Sequence, residues 1–174
     1  YTNGAAREAL RHIVGVQFRN TATLGGSVYG RFGFSDVLTL LLALGASAEL
    51  YKGGIVPLAQ FAEMPFDRDI LVRVHIPKEN AAFFYQSVRP TRTDFPSLTC
   101  AAARLESGEY RFAIGARPGK AVVLAPQGTP EELPELVCAQ LVTGSNLRGS
   151  AEYRKHLARV LVRRAVETLE GGAK

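Results

Sequence analysis

The chain has 174 residues with a mass of 18.8 kDa; 47% of them are apolar and 21% charged, mean hydropathy is near zero and the net charge is +5. So apolar a chain excludes disorder, and it is long enough to build a core without disulfide or metal staples. The longest near-apolar run, Val37 to Ala48, is broken by Thr39, Gly45 and Ser47 and falls short of the roughly 20 residues a span needs, so no integral membrane segment is expected.

The first residues, YTNGAAREALRH, lack a basic start followed by an apolar stretch, so they are not expected to act as a secretory signal. Ala5 to Val14 predicts a short helix with Leu10, Ile13 and Val14 on one side. The next stretch, VQFRNTATLGGSVYGRFGFSD, is expected as a loop, too rich in Gly, Thr and Ser for regular structure throughout. Ser35 then caps a helix with Asp36 in its first turn, an apolar body from Val37 to Leu44 and Gly45 at the C-terminal stop. Apolar all round, that helix should be buried. Ala46 to Tyr51 predicts a strand, KGG a turn, and IVPL a second strand or a connection.

Asp69 to Ile76 alternates as a strand does and is stopped by Pro77; AAFFYQSV predicts another strand. Ser97–Leu105, Tyr110–Gly115 and Ala121–Leu124 predict an antiparallel meander with turns at SGE and RPGK. Thr129-Pro130-Glu131-Glu132 forms a capping box for a further helix, whose first turns Pro134 is expected to distort. The chain closes on an amphipathic helix capped by Ser150, with Tyr153, Leu157, Val160, Leu161, Ala165, Val166 and Leu169 on its apolar face. Strands and helices do not alternate as βαβ units, so the fold class is α+β, divided near Pro77–Ala81.

The charge is uneven. Residues 147–174 carry seven Lys/Arg against three Asp/Glu, so most of the excess belongs to the last helix. Arg154, Lys155, Arg159, Arg163 and Arg164 are assigned to its polar surface, as a solvated face or a dock for an acidic partner. No aromatic residues interleave these cations, and nucleic acid is not expected as a partner.

Several chemistries are absent from the pattern. His12, His75 and His156 are far apart and lack metal-ligand spacing, so no metal site is expected. Cys100 and Cys138 have no CxxC partner; core packing in a reducing compartment, taken as the cytoplasm, suits both. There is no GxSxG elbow, and no catalytic residue is assigned. Gly25 and Gly30 have the Walker spacing, but Arg31-Phe32 stands where Lys and Ser/Thr are required. What remains is Thr23-Leu24-Gly25-Gly26-Ser27, with Asp36 thirteen residues after Thr23. Paired glycines admit close backbone approach to a flat ligand or a pyrophosphate; the same residues also suit a merely tight loop.

Together, QFRNTATLGGS, the following Ser-Asp, LLALGA and AELY resemble the FAD-binding subunits and domains of the molybdenum hydroxylases, the xanthine dehydrogenase and carbon monoxide dehydrogenase medium-subunit type. DILVRVHIP, RPTRTDFPSLTCAAA, AIGARPGKAVVL and the last helix continue the resemblance in order. It implies the second half of an FAD-binding domain at residues 1–79 and an α+β C-terminal domain, with an antiparallel sheet and helices, at 80–174. It also implies FAD as cofactor, lined by Thr23, Leu24, Gly25, Gly26 and Ser27, with Asp36 on its polar chain. Ile13 and Leu71 match apolar positions near the flavin, where core packing is the other reading. The implied partners are an iron–sulfur subunit and a molybdopterin subunit, which hold the clusters and the molybdenum cofactor; electrons leave FAD for NAD or another acceptor.

Two departures stand out. Gln86 occupies a segment where the family often has a Lys near the flavin, and the Pro that usually follows the helix-opening Asp is absent, with Val37 and Leu38 there instead. The family's earlier segment, with a second glycine-rich loop gripping the pyrophosphate, is not in this sequence. The chain is therefore expected to be the C-terminal two-thirds of such a protein, its isolated form inactive and weak in FAD binding. The alternative is a non-catalytic assembly module that keeps the fold without a complete FAD site.

Overall fold

The computed structural model describes residues 1–171. It is an α+β fold built on two antiparallel sheets, as the pattern of short strands and helices requires. In the first half, α1 (Ala5–Arg11), α2 (Gly15–Thr21), α3 (Leu24–Tyr29) and α4 (Asp36–Ala43) precede a sheet of order β2-β1-β3, with β1 Ser47–Leu50, β2 Gly54–Pro57 and β3 Leu71–His75. Helix α5 (Leu58–Glu63) lies between β2 and β3. The second half is a four-stranded meander, β4 (Ala81–Val88), β5 (Leu98–Leu105), β6 (Tyr110–Gly115) and β7 (Val122–Leu124), followed by α6 (Leu133–Gln140) and α7 (Ala151–Leu169).

Alternation along the meander creates two cores. Phe83, Tyr85, Ala101, Ala103 and Ala113 face one side and pack with α1 and α4; Phe84, Cys100, Ala102, Phe112 and Ile114 face the other and pack with α6 and α7. The first core therefore runs without a break from α4 into β4, β5 and β6. Alanines on β5 bring helices close to both faces. Burial pushes the Cys100 thiol up to about 12, which leaves it a small apolar side chain in the second core.

Helix α4 forms as its sequence dictates. The Ser35 hydroxyl accepts from the Leu38 N–H at 3.2 Å, every residue of the helix is buried, and Gly45 stops it at φ +66. Two glycines bind this helix region to the meander. A Cβ on Gly115 would lie 2.4 Å from Thr39 Oγ1, and one on Gly33 would lie 1.9 Å from the Gly119 carbonyl oxygen. Gly33→Ala is accordingly expected to cost about 2 kcal/mol by overpacking, read as a lowered urea midpoint; an unchanged midpoint would show that the 31–35 loop is free to move.

Four expectations need correction. The expected loop of residues 16–36 contains most of α2 and all of α3. Thr23 caps α3, its hydroxyl accepting from the Gly26 N–H at 3.0 Å, which offsets the poor helix propensity of the glycine pair. In α1 the buried residues are Ala5 and Ala9, while Leu10 and Val14 are exposed. Helix α5 carries no clear sequence signal. Thr129–Glu132 forms a turn in which the Thr129 N–H donates to Glu132 at 2.9 Å; α6 opens only at Leu133, so Pro134 sits in the first turn, where its missing N–H costs nothing.

The last correction concerns α7. Tyr153 is exposed, and Arg154, assigned to the polar surface, is completely buried. Its guanidinium donates to the carbonyls of Ser97 at 2.9 Å, Ala116 at 3.2 Å, Gly144 at 2.8 Å and Gly149, and to Asn146 Oδ1 at 2.5 Å. Five acceptors and no carboxylate surround it in this network. Arg159 does lie on the polar side, donating to both oxygens of Glu135 on α6 at 2.5 and 3.0 Å.

A groove between the first helices and the meander

The C-terminus of α1, helices α2 and α3, the start of α4 and the turn after β4 enclose a groove of about 520 Å³. Its walls are aromatic. Phe18, Phe32, Phe34 and Phe95 line it, and the least exposed of them still shows 38% of its surface. Phe32 stacks on Phe34 at 5.3 Å between centroids, and Phe34 meets Phe95 at 4.4 Å. Contiguous exposed aromatics are rare on a soluble surface without a partner, and volumes of this size are typical of ligand sites.

Arg31 presents two of these rings. Its backbone is left-handed at φ +49 and its side chain is buried. The guanidinium lies 4.0 Å from the Phe61 ring centroid, 4.7 Å from Phe66 and 5.2 Å from Tyr29, and Nη1 donates to the Pro65 carbonyl at 3.2 Å. So anchored, the loop turns Phe32 and Phe34 toward the groove.

The floor is polar. Asp36 Oδ1 accepts from the Tyr85 hydroxyl and from Arg89 Nη2, so one oxygen is fully engaged and Oδ2 keeps acceptor capacity. Burial, reinforced by the Asp36 charge, pushes the Tyr85 hydroxyl well above its usual range and keeps it a donor. Asp94 accepts from Arg148 at 2.8 Å and from the Phe95 N–H at 2.7 Å, which hold its carboxyl below the usual range.

Of the residues singled out in the sequence, the groove brings together Ile13, Thr23, Gly26, Ser27 and Asp36. Leu24 and Gly25 occupy the first turn of α3 beside it, outside its lining; a Cβ on Gly25 would meet nothing within 4 Å. Their N–H groups have no acceptor within the helix and remain available. Leu71 lies elsewhere, on β3, half-buried against the first core. Gln86 faces α7, its Oε1 3.5 Å from Arg164 Nη1, because strand alternation puts it on the side opposite Tyr85. Sequence reasoning missed the four phenylalanines and Arg89. For Phe32 and Phe34 the available signal is the aromatic spacing of GRFGFSD. Among the described residues no group of His, Cys, Asp and Glu is placed to hold a metal, and no helix is long and apolar enough to cross a membrane.

Residues 2–79 match the family described as the FAD binding domain in molybdopterin dehydrogenase. A curated relative, the uncharacterized protein YgfM of Escherichia coli K12, is 26% identical over 162 residues, covering 91% of this chain and 62% of the relative; the chain thus spans less than two thirds of that protein. Quinoline 2-oxidoreductase from Pseudomonas putida 86 superposes with a TM-score of 0.77 at 23% identity, over 94% of this chain and 66% of that one. Reconstituted CO dehydrogenase from Oligotropha carboxidovorans gives 0.82 at 23% identity, over 99% and 69%. CO dehydrogenase from Hydrogenophaga pseudoflava, in a form lacking the Mo-pyranopterin moiety, gives 0.81 at 22%, over 96% and 67%. At such identities these superpositions establish the fold. Helices α1 to α4, which build most of the groove, all fall within residues 2–79, the segment similar to the FAD-binding domain of the molybdopterin dehydrogenases.

Proposed function

We propose that this chain is the flavin-holding part of a molybdenum-containing hydroxylase or dehydrogenase. On this reading, electrons from substrate oxidation at a molybdopterin subunit pass through iron–sulfur clusters in a partner subunit to FAD, then to NAD or another acceptor, in the cytoplasm. The observation that carries the reading is the aromatic groove built largely from the family-matched segment. When bound, FAD supplies the two-electron chemistry.

The chain's own residues fit such a ring system. Phe18, Phe32, Phe34 and Phe95 offer faces and edges to a flat heteroaromatic group and exclude water around it. The free N–H groups at the start of α3 suit oxygen acceptors, and Gly25 leaves the space above them open. Thr23 acts indirectly, since its hydroxyl is committed to the Gly26 N–H and fixes that turn. Asp36 Oδ2 remains to accept from a ligand hydroxyl. Leu71, on β3, lies outside the groove and packs against the first core. We assign the flavin-holding role to residues 1–79 and the closing wall, with Arg89 and Phe95, to the unit at 80–174.

Purification of the intact protein with its associated subunits tests the proposal. Flavin absorbance together with molybdenum and iron in the purified assembly is the expected result, with weak FAD retention by the 174-residue chain alone. An assembly free of flavin would overturn the reading in favour of a non-catalytic assembly module.

A further inference from the structure

Arg89 reaches the groove floor from the end of β4, with only 7% of its side chain exposed. Besides Asp36, it donates through Nη1 to the Asp94 carbonyl at 2.8 Å and through Nε to Ser87 Oγ at 3.2 Å. Three protein groups therefore fix the guanidinium where it cancels the Asp36 carboxylate.

The other charges at the groove are already accounted for. Asp94 is matched by Arg148, and His12 Nε2 lies 3.5 Å from Glu8 Oε1 at the end of α1. Tyr85 remains protonated. The floor is consequently neutral only while both Asp36 and Arg89 are present. Buried beneath aromatic walls, a one-charge imbalance there acts through a low effective dielectric. Position 86 cannot perform this role, because it faces α7; the strand's alternation returns the chain to the groove side at Arg89.

We propose that the Asp36–Arg89 pair sets the reduction potential of the ring bound in the groove, with Arg89 as the positioning cation that keeps the floor from opposing reduction. The inference rests on the flavin reading above. The couple concerned is FAD taking up two electrons and one proton to give the reduced anion.

The test is a potentiometric titration of the FAD-loaded intact protein with dithionite as reductant. Arg89→Met, which uncovers the carboxylate, is expected to shift the potential negative by about 30 mV or more, tenfold in the reduction equilibrium of a two-electron couple. Asp36→Asn uncovers the guanidinium and is expected to shift it positive. The double variant and Arg89→Lys return it close to the wild type. If one single variant fails to load FAD, the sign of the other decides. Unshifted potentials, or shifts of the same sign, overturn the inference while leaving the flavin reading intact; a wild type without FAD overturns the flavin reading itself.

Discussion

Replacing Arg154 by methionine is expected to destabilise the fold by about 4 kcal/mol, among the largest effects of any single substitution here. Four backbone carbonyls and Asn146 Oδ1 converge on this guanidinium from the residue before β5, from the residue after β6 and from the 144–149 segment. A methionine fills much of the volume but donates nothing, so several acceptors are left dry. Each unmade bond of that kind costs about 1–3 kcal/mol, and partial relaxation keeps the sum below simple addition. Lysine should recover only part of the loss, because a single ammonium cannot span acceptors arranged around a planar fork. Urea unfolding of the three proteins measures this; a methionine variant within 1 kcal/mol of wild type would mean that water replaces the guanidinium without penalty.

Gly25→Ala is expected to move stability and ligand affinity in opposite directions. A Cβ at this position meets no protein atom within 4 Å, and alanine suits the first turn of α3 better than glycine. Stability should therefore rise by about 0.5 kcal/mol. The same methyl group occupies the space through which a flat ligand would approach the turn, so FAD affinity of the intact protein should fall about tenfold or more, equivalent to roughly 1.4 kcal/mol. Thermal melting and flavin titration together separate the two effects. Unchanged affinity would leave Gly25 without a role in ligand approach.

The sequence and the structure agree where one local rule decides the outcome. Helix α4 has its cap, its apolar body and its glycine stop in consecutive positions, and the meander strands alternate cleanly between two cores. Arg154 was misplaced because charge was given precedence over period. It lies four residues before Ala158 and three before Leu157, on the buried stripe that continues through Leu161 and Ala165. Only the fold reveals the carbonyls that make burial of the cation acceptable, since Ser97 and Ala116 are distant in sequence.

The groove was half legible. Thr23, Gly26, Ser27 and Asp36 carry a recognisable local spacing, and all four line it. Phe95 and Arg89 arrive from the other half of the chain, and nothing local to them announces a shared cavity. Helix α2 was illegible for a different reason. None of its residues is buried, so it has no apolar stripe to betray it.

The uninterrupted first core also governs the order in which the chain acquires structure. During synthesis α4 emerges with all eight residues apolar or destined for burial, yet Ala101, Ala103 and Ala113, against which it packs, are made much later. The family-matched segment of residues 2–79 cannot cover that helix with its own strands alone. Until β6 has left the ribosome, the sequence around Val37 to Leu44 lacks the strands that cover one side of it and leaves apolar surface of the kind chaperones recognise. A ribosome stalled short of Gly115 would therefore hold a helper-dependent nascent chain.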